Sequence, residues 1–100
     1  MKFEELKIDQ KILAAIKDLR FTIPTEIQEK ALPPALSGKD LIAQSMTGSG
    51  KTLVFGVPIL QFIERGKGIQ ALVIAPTREL ANQISQDIRK LSKYKRVEIF

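Results

Sequence analysis

The chain contains no cysteine, so it forms no disulfide, and with no histidine either a structural zinc site lacks its usual ligands. Long apolar runs are missing as well. The longest uncharged apolar stretch, Leu53 to Leu60, is far too short to span a bilayer. The first residues, Met1-Lys2-Phe3-Glu4-Glu5, turn acidic at once and include no apolar core of the kind a secretory signal needs. Internal repeats, low-complexity tracts and linkers are also absent. These absences predict an intracellular protein, cytoplasmic with the nucleus left open.

What remains is an ordinary globular composition, with 44% apolar and 27% charged residues in 100. That length suits one small domain. Sixteen Lys and Arg stand against eleven Asp and Glu, for a net charge of +5 and a pI near 9.7. The excess favours a polyanionic partner. It is concentrated in Arg89-Lys90-Leu91-Ser92-Lys93-Tyr94-Lys95-Arg96, which has five cations and no acid. Cations there equally suit a helix C-terminus, where they complement the helix dipole. Both readings stand at this point.

Hydrophobic spacing and stop signals predict the elements. Asp9 caps a helix with Ile12, Leu13, Ile16 and Leu19 on one face, ending near Arg20. Phe21 to Pro24 is extended, and Thr25 opens a second helix that stops at Pro33-Pro34 or shortly after. Ser37-Gly38-Lys39 is a turn. Three short apolar runs then read as buried strands: Leu41–Gln44, Gln70–Ala75 and Val97–Phe100. Between them lie a helix from Lys51 to about Arg65, kinked at Pro58, and another from Pro76-Thr77 through Leu91.

This alternation predicts an α/β fold with right-handed crossovers and a parallel sheet of about three strands. The loops Ser45–Gly50 and Pro76–Thr77 would then face one crevice at the carboxyl edge of the sheet.

The stretch Ser45-Met46-Thr47-Gly48-Ser49-Gly50-Lys51-Thr52 falls where a strand gives way to a helix. Glycines at 48 and 50 permit the backbone to turn its N–H groups inward, and the helix N-terminus adds its unpaired donors. Lys51 supplies a mobile cation for β- and γ-phosphates, and the Thr52 hydroxyl is placed to reach a magnesium ion. Ser45 stands where the phosphate-loop pattern usually has Gly or Ala. The bland alternative is a glycine-rich turn followed by a surface lysine.

Phe21-Thr22-Ile23-Pro24-Thr25-Glu26-Ile27-Gln28 lies upstream. The Gln28 amide offers the donor and acceptor that an adenine edge pairs with, and the Phe21 ring could stack on a base. Thr25-x-x-Gln28 is also a capping box in its own right. Downstream, Thr77 as an N-cap and Arg78 as a forked cation would suit a phosphate. They equally suit a plain cap and a solvated charge.

Phe21-x-x-Pro24-Thr25-x-x-Gln28, Ala43-Gln44-Ser45-Met46-Thr47-Gly48-Ser49-Gly50-Lys51-Thr52 and Pro76-Thr77-Arg78-Glu79-Leu80-Ala81 together resemble the DEAD-box RNA helicase family. Their order and spacing match its Q motif, motif I and motif Ia. Phe3 matches its isolated upstream aromatic, though packing against the first helix would also explain that residue.

The resemblance covers the chain from Phe3 onward and implies a partial RecA-like, three-layer P-loop core. Residues 1–36 would form the Q-motif helical segment and residues 37–100 the P-loop core, together one incomplete ATP-binding lobe. It implies ATP and Mg2+ as cofactors, with Lys51 and Thr52 in catalytic roles and Thr52 on the metal. Phe21 and Gln28 would hold the adenine, residues Ser45, Met46, Thr47, Gly48, Ser49 and Gly50 would line the phosphate site, and RNA would meet Pro76, Thr77 and Arg78. Arg20 departs from the family, which usually has glycine there.

A carboxylate at the end of a further apolar strand, needed for magnesium and water, is not found. Neither are the Asp-Glu-Ala-Asp motif, the Ser-Ala-Thr motif or the second lobe. The expectation is the ATP-binding part of an ATP-dependent RNA helicase, inactive by itself and without a membrane partner. Two alternatives are a nucleotide-binding fragment without turnover and an unrelated small P-loop enzyme such as a nucleotide kinase.

Overall fold

The computed structural model describes residues 2–44 and 50–100. It begins with a short 3-10 helix, Phe3–Glu5, followed by α1 (Gln10–Asp18), α2 (Glu26–Leu36), α3 (Lys51–Phe62) and α4 (Arg78–Leu91). All four α-helices lie where apolar spacing and caps place them. α3 ends three residues before Arg65, where the Ile63 N–H closes the last turn on the Ile59 carbonyl.

Each helix start has a local cause. The Asp9 carboxylate accepts the Lys11 N–H at 2.8 Å and opens α1. Thr25 and Gln28 form the reciprocal capping box at the head of α2. The Thr77 hydroxyl accepts the Leu80 N–H at 3.1 Å at the head of α4. α3 is different: Gly50 caps it at φ +81°, and no side chain among the described residues bonds its first turn.

The core is built from helix faces. Ile12 and Ile16 of α1, Leu32 of α2, Val57 and Leu60 of α3 and Leu91 of α4 are all at most 2% exposed. Phe3 joins them at 1%, so the upstream aromatic is packed into the core. α3 packs chiefly on α2, with smaller contacts to α4 and α1. Six of its twelve residues are buried, as expected of a helix apolar nearly all round. At the α3–α4 crossing a Cβ on Gly56 would come within 3.3 Å of Leu91 Cδ1, so only glycine allows that approach without a shift.

The expected three-layer parallel sheet is not there. Among the described residues all regular structure is helical, and none of the three apolar runs is a strand. Leu41–Gln44 is exposed throughout, with Ile42 at 96%, and within Gln70–Ala75 Leu72 and Ile74 are 82% and 84% exposed. Val97 and Ile99 pack against the core, yet Phe100 stands open. A buried parallel strand needs a bonded neighbour and a layer on each face. Here the helices satisfy one another, and no described segment pairs with these runs. Apolar character marked them as wanting burial without specifying a partner.

The basic run is mostly engaged internally. Arg89 donates to the Ile99 carbonyl at 3.0 Å, Lys93 pairs with Asp18 at 2.9 Å and Lys95 donates to the Gln61 carbonyl at 3.3 Å. These bonds fasten the end of α4 to α1, to α3 and to the last residues. The Tyr94 hydroxyl also donates to the Asp18 carboxylate. That bond, with Lys93 beside it, holds the Asp18 carboxyl below its ordinary range.

Candidate nucleotide site

Three side-chain and backbone devices converge at the head of α3. The Gln28 side chain is fully buried, and its two amide ends are both used. Its Oε1 accepts the Thr25 N–H at 2.9 Å, while its Nε2 donates to the Gly50 carbonyl at 3.0 Å. One amide therefore joins the N-cap of α2 to the N-cap of α3. A Cβ on residue 50 would lie 2.5 Å from Gln28 Nε2, so the bridge and the positive φ both demand glycine.

Immediately beyond, a cavity of about 290 Å³ lies between this corner and α4. Phe21, Gly50 and Thr52 line one side of it, and Gln83, Asp87 and Lys90 line the other. A larger cavity, about 630 Å³, sits between α2 and α3 and is mostly apolar, with Ile27, Val54, Phe55 and Phe62 in its wall. Lys51 belongs to that larger cavity and is not among the residues lining the smaller one. We regard the smaller as the candidate site, because it combines an aromatic face, a hydroxyl and a helix N-terminus.

The sequence-selected residues thus divide. Phe21, Gly50 and Thr52 share one cavity, Gln28 lies buried behind it, and Lys51 follows on the neighbouring face of α3. Pro76, Thr77 and Arg78 are exposed at the head of α4 and line neither cavity. Residues Ser45, Met46, Thr47, Gly48 and Ser49 lie outside the described residues. Sequence reasoning missed the α4 wall altogether. The spacing of Gln83, Asp87 and Lys90, at three and four, was the available signal, but it reads first as a solvated helix face.

The first turn of α3 can receive an anion: among the described residues its N–H groups have no side-chain partner, and Gly50 leaves the approach free of a Cβ. Among the described residues no group of three His, Cys, Asp or Glu could hold a metal ion; the side-chain oxygens lining this cavity are those of Thr52, Gln83 and Asp87.

Comparison with known proteins decides the lineage. A model of the DEAD/DEAH box helicase family matches residues 25–100. The chain belongs to that family. Among relatives of this DEAD/DEAH box chain, ATP-dependent RNA helicase CshA of Listeria monocytogenes is 48% identical over 99 residues, covering 98% of this chain and 19% of the relative. A DEAD box protein from Methanococcus jannaschii superposes with a TM-score of 0.90 at 40% identity, over 97% of this chain and 27% of that one. Dbp5 of S. cerevisiae, solved with RNA and ADP BeF3, superposes with a TM-score of 0.89 at 35% identity, over 94% and 25%. The chain spans about a fifth of the length of the curated relatives it matches. No helix among the described residues is long and apolar enough to cross a membrane.

Proposed function

We propose that this chain is the nucleotide-binding portion of an ATP-dependent RNA helicase, whose ATP binding and hydrolysis are coupled to separating RNA duplexes. The observation that carries this reading is the head of α3. Gly50 turns the chain at φ +81° without a side-chain cap, and Lys51 and Thr52 follow directly. A helix N-terminus and its dipole then stand at the smaller cavity where phosphates can lie, and the Lys51 ammonium, on the neighbouring face of α3, would reach them from the side.

On this reading Phe21 stacks on the base and Gln28, behind it, links base recognition to the phosphate turn through Gly50. The loop Ser45–Ser49, with Gly50, would complete the phosphate site. Thr52 would hold Mg2+, which supplies charge neutralisation on the phosphates when bound. Pro76, Thr77 and Arg78 would meet the RNA backbone, an assignment supported by the exposed N-terminus of α4. Residues 1–36 contribute the base side and 37–100 the phosphate side. A cytoplasmic location goes with the reading.

On this reading the chain alone binds nucleotide without appreciable turnover. Calorimetric titration with ATP and Mg2+ tests the site. Lys51→Ala should lose at least tenfold in affinity, since a charged contact to phosphate is removed. Unchanged affinity in that variant would remove the phosphate-site reading.

A further inference from the structure

α4 turns one continuous face toward the head of α3. Leu80, Ile84 and Leu91 supply its apolar part, and Gln83, Asp87 and Lys90 stand among them at helical spacing. Across the cavity are the Phe21 ring at one place and Gly50 with Thr52 at another. A nucleotide stacked on Phe21 with its phosphates at the α3 N-terminus must place its sugar between the two, against α4. At about 290 Å³ the cavity lies near the lower limit for small-ligand sites.

We propose that Asp87 recognises the ribose of the bound nucleotide, its carboxylate accepting hydrogen bonds from the vicinal 2′- and 3′-hydroxyls. The inference rests on the nucleotide reading above and names a specificity-determining residue for it. Asp87 is the one carboxylate among the residues lining this cavity. It is half-buried, and among the described residues it makes no ion pair or hydrogen bond through its side chain. Asp18, by contrast, is committed to Lys93 and Tyr94. An ionised carboxylate only accepts, and a ribose presents two O–H donors side by side, so the chemistries match. Gln83 and Lys90, one turn to either side, can each donate to one sugar oxygen but offer no acceptor pair of that strength.

The test compares ATP with 2′-deoxy-ATP, titrated with Mg2+ into the wild-type chain, Asp87→Ala and Lys51→Ala. The wild type should prefer ATP by about tenfold, the worth of one hydrogen bond to a charged acceptor. Asp87→Ala should bind both nucleotides equally and more weakly than the wild type binds the deoxy form, because the 2′-hydroxyl that distinguishes them and the 3′-hydroxyl they share have both lost their acceptor. A general loss of fold would weaken both equally and keep the ratio. A ratio that survives in Asp87→Ala, or a wild type that does not discriminate, overturns the ribose assignment while Lys51-dependent binding leaves the nucleotide site standing. ATP affinity that is indifferent to Lys51→Ala overturns the nucleotide site itself, and the ribose assignment with it.

Discussion

Three glutamines act here as detached peptide groups. Gln28 joins Thr25 to Gly50, Gln61 takes the Asp9 N–H at 2.8 Å and gives to the Lys7 carbonyl at 2.6 Å, and Gln70 spans the N–H and carbonyl of Glu64. In each case an amide pairs with backbone groups that no helix satisfies. The capping role of Gln28 was legible from Thr25-x-x-Gln28, because the whole motif lies within one helical turn. Its bond to Gly50 was not, being made across 22 residues of chain. Gly50→Ala tests how much rests on that contact. The new methyl meets Gln28 Nε2 and the backbone is held at φ +81°, so the variant should lose about 2 to 3 kcal/mol in urea unfolding. A loss below about 0.5 kcal/mol, the range of an ordinary surface change, would show that the bridge adds little.

At the scale of elements, α1 ends in a Schellman turn. The Phe21 N–H bonds the Ile16 carbonyl at 3.3 Å and the Arg20 N–H bonds that of Lys17 at 2.9 Å, with Arg20 at φ +64°. This is the position where the family resemblance expects glycine. The departure was visible in the sequence, and its strain only in the backbone. A non-glycine residue held left-handed costs on the order of 1 kcal/mol, so Arg20→Gly should stabilise the chain by about that amount in the same unfolding assay. A destabilised variant would mean that the Arg20 side chain makes a compensating contact. The turn also sets the direction in which the chain enters Phe21, so element end and candidate site are one construction.

For the whole molecule the consequential feature is the apolar surface left open. Ile42, Ile69, Leu72 and Ile74 are each at least 82% exposed, and Gln70–Ala75 carries no charge. Uncharged runs of this kind, without bonded neighbours, associate with one another. Sedimentation velocity should show concentration-dependent self-association that Leu72→Lys with Ile74→Lys suppresses. A wild type monomeric at every concentration would contradict it. Both substitutions lie outside the buried cluster of Phe3, Ile12, Ile16, Leu32 and Leu60, so the helices should stay folded.

The amino-acid sequence by itself determined the four helices, their caps at Asp9, Thr25 and Thr77, and the motifs that place the chain in its family. All of these are governed by interactions within a few residues, or by motif spacing along the chain. Only the tertiary structure decided three further things: that the apolar runs remain unpaired, that the Gln28 amide is spent on Gly50, and that α4 walls the cavity holding Phe21 and Thr52. Each depends on which distant segment comes alongside, and hydrophobic periodicity records the need for burial without the identity of what provides it.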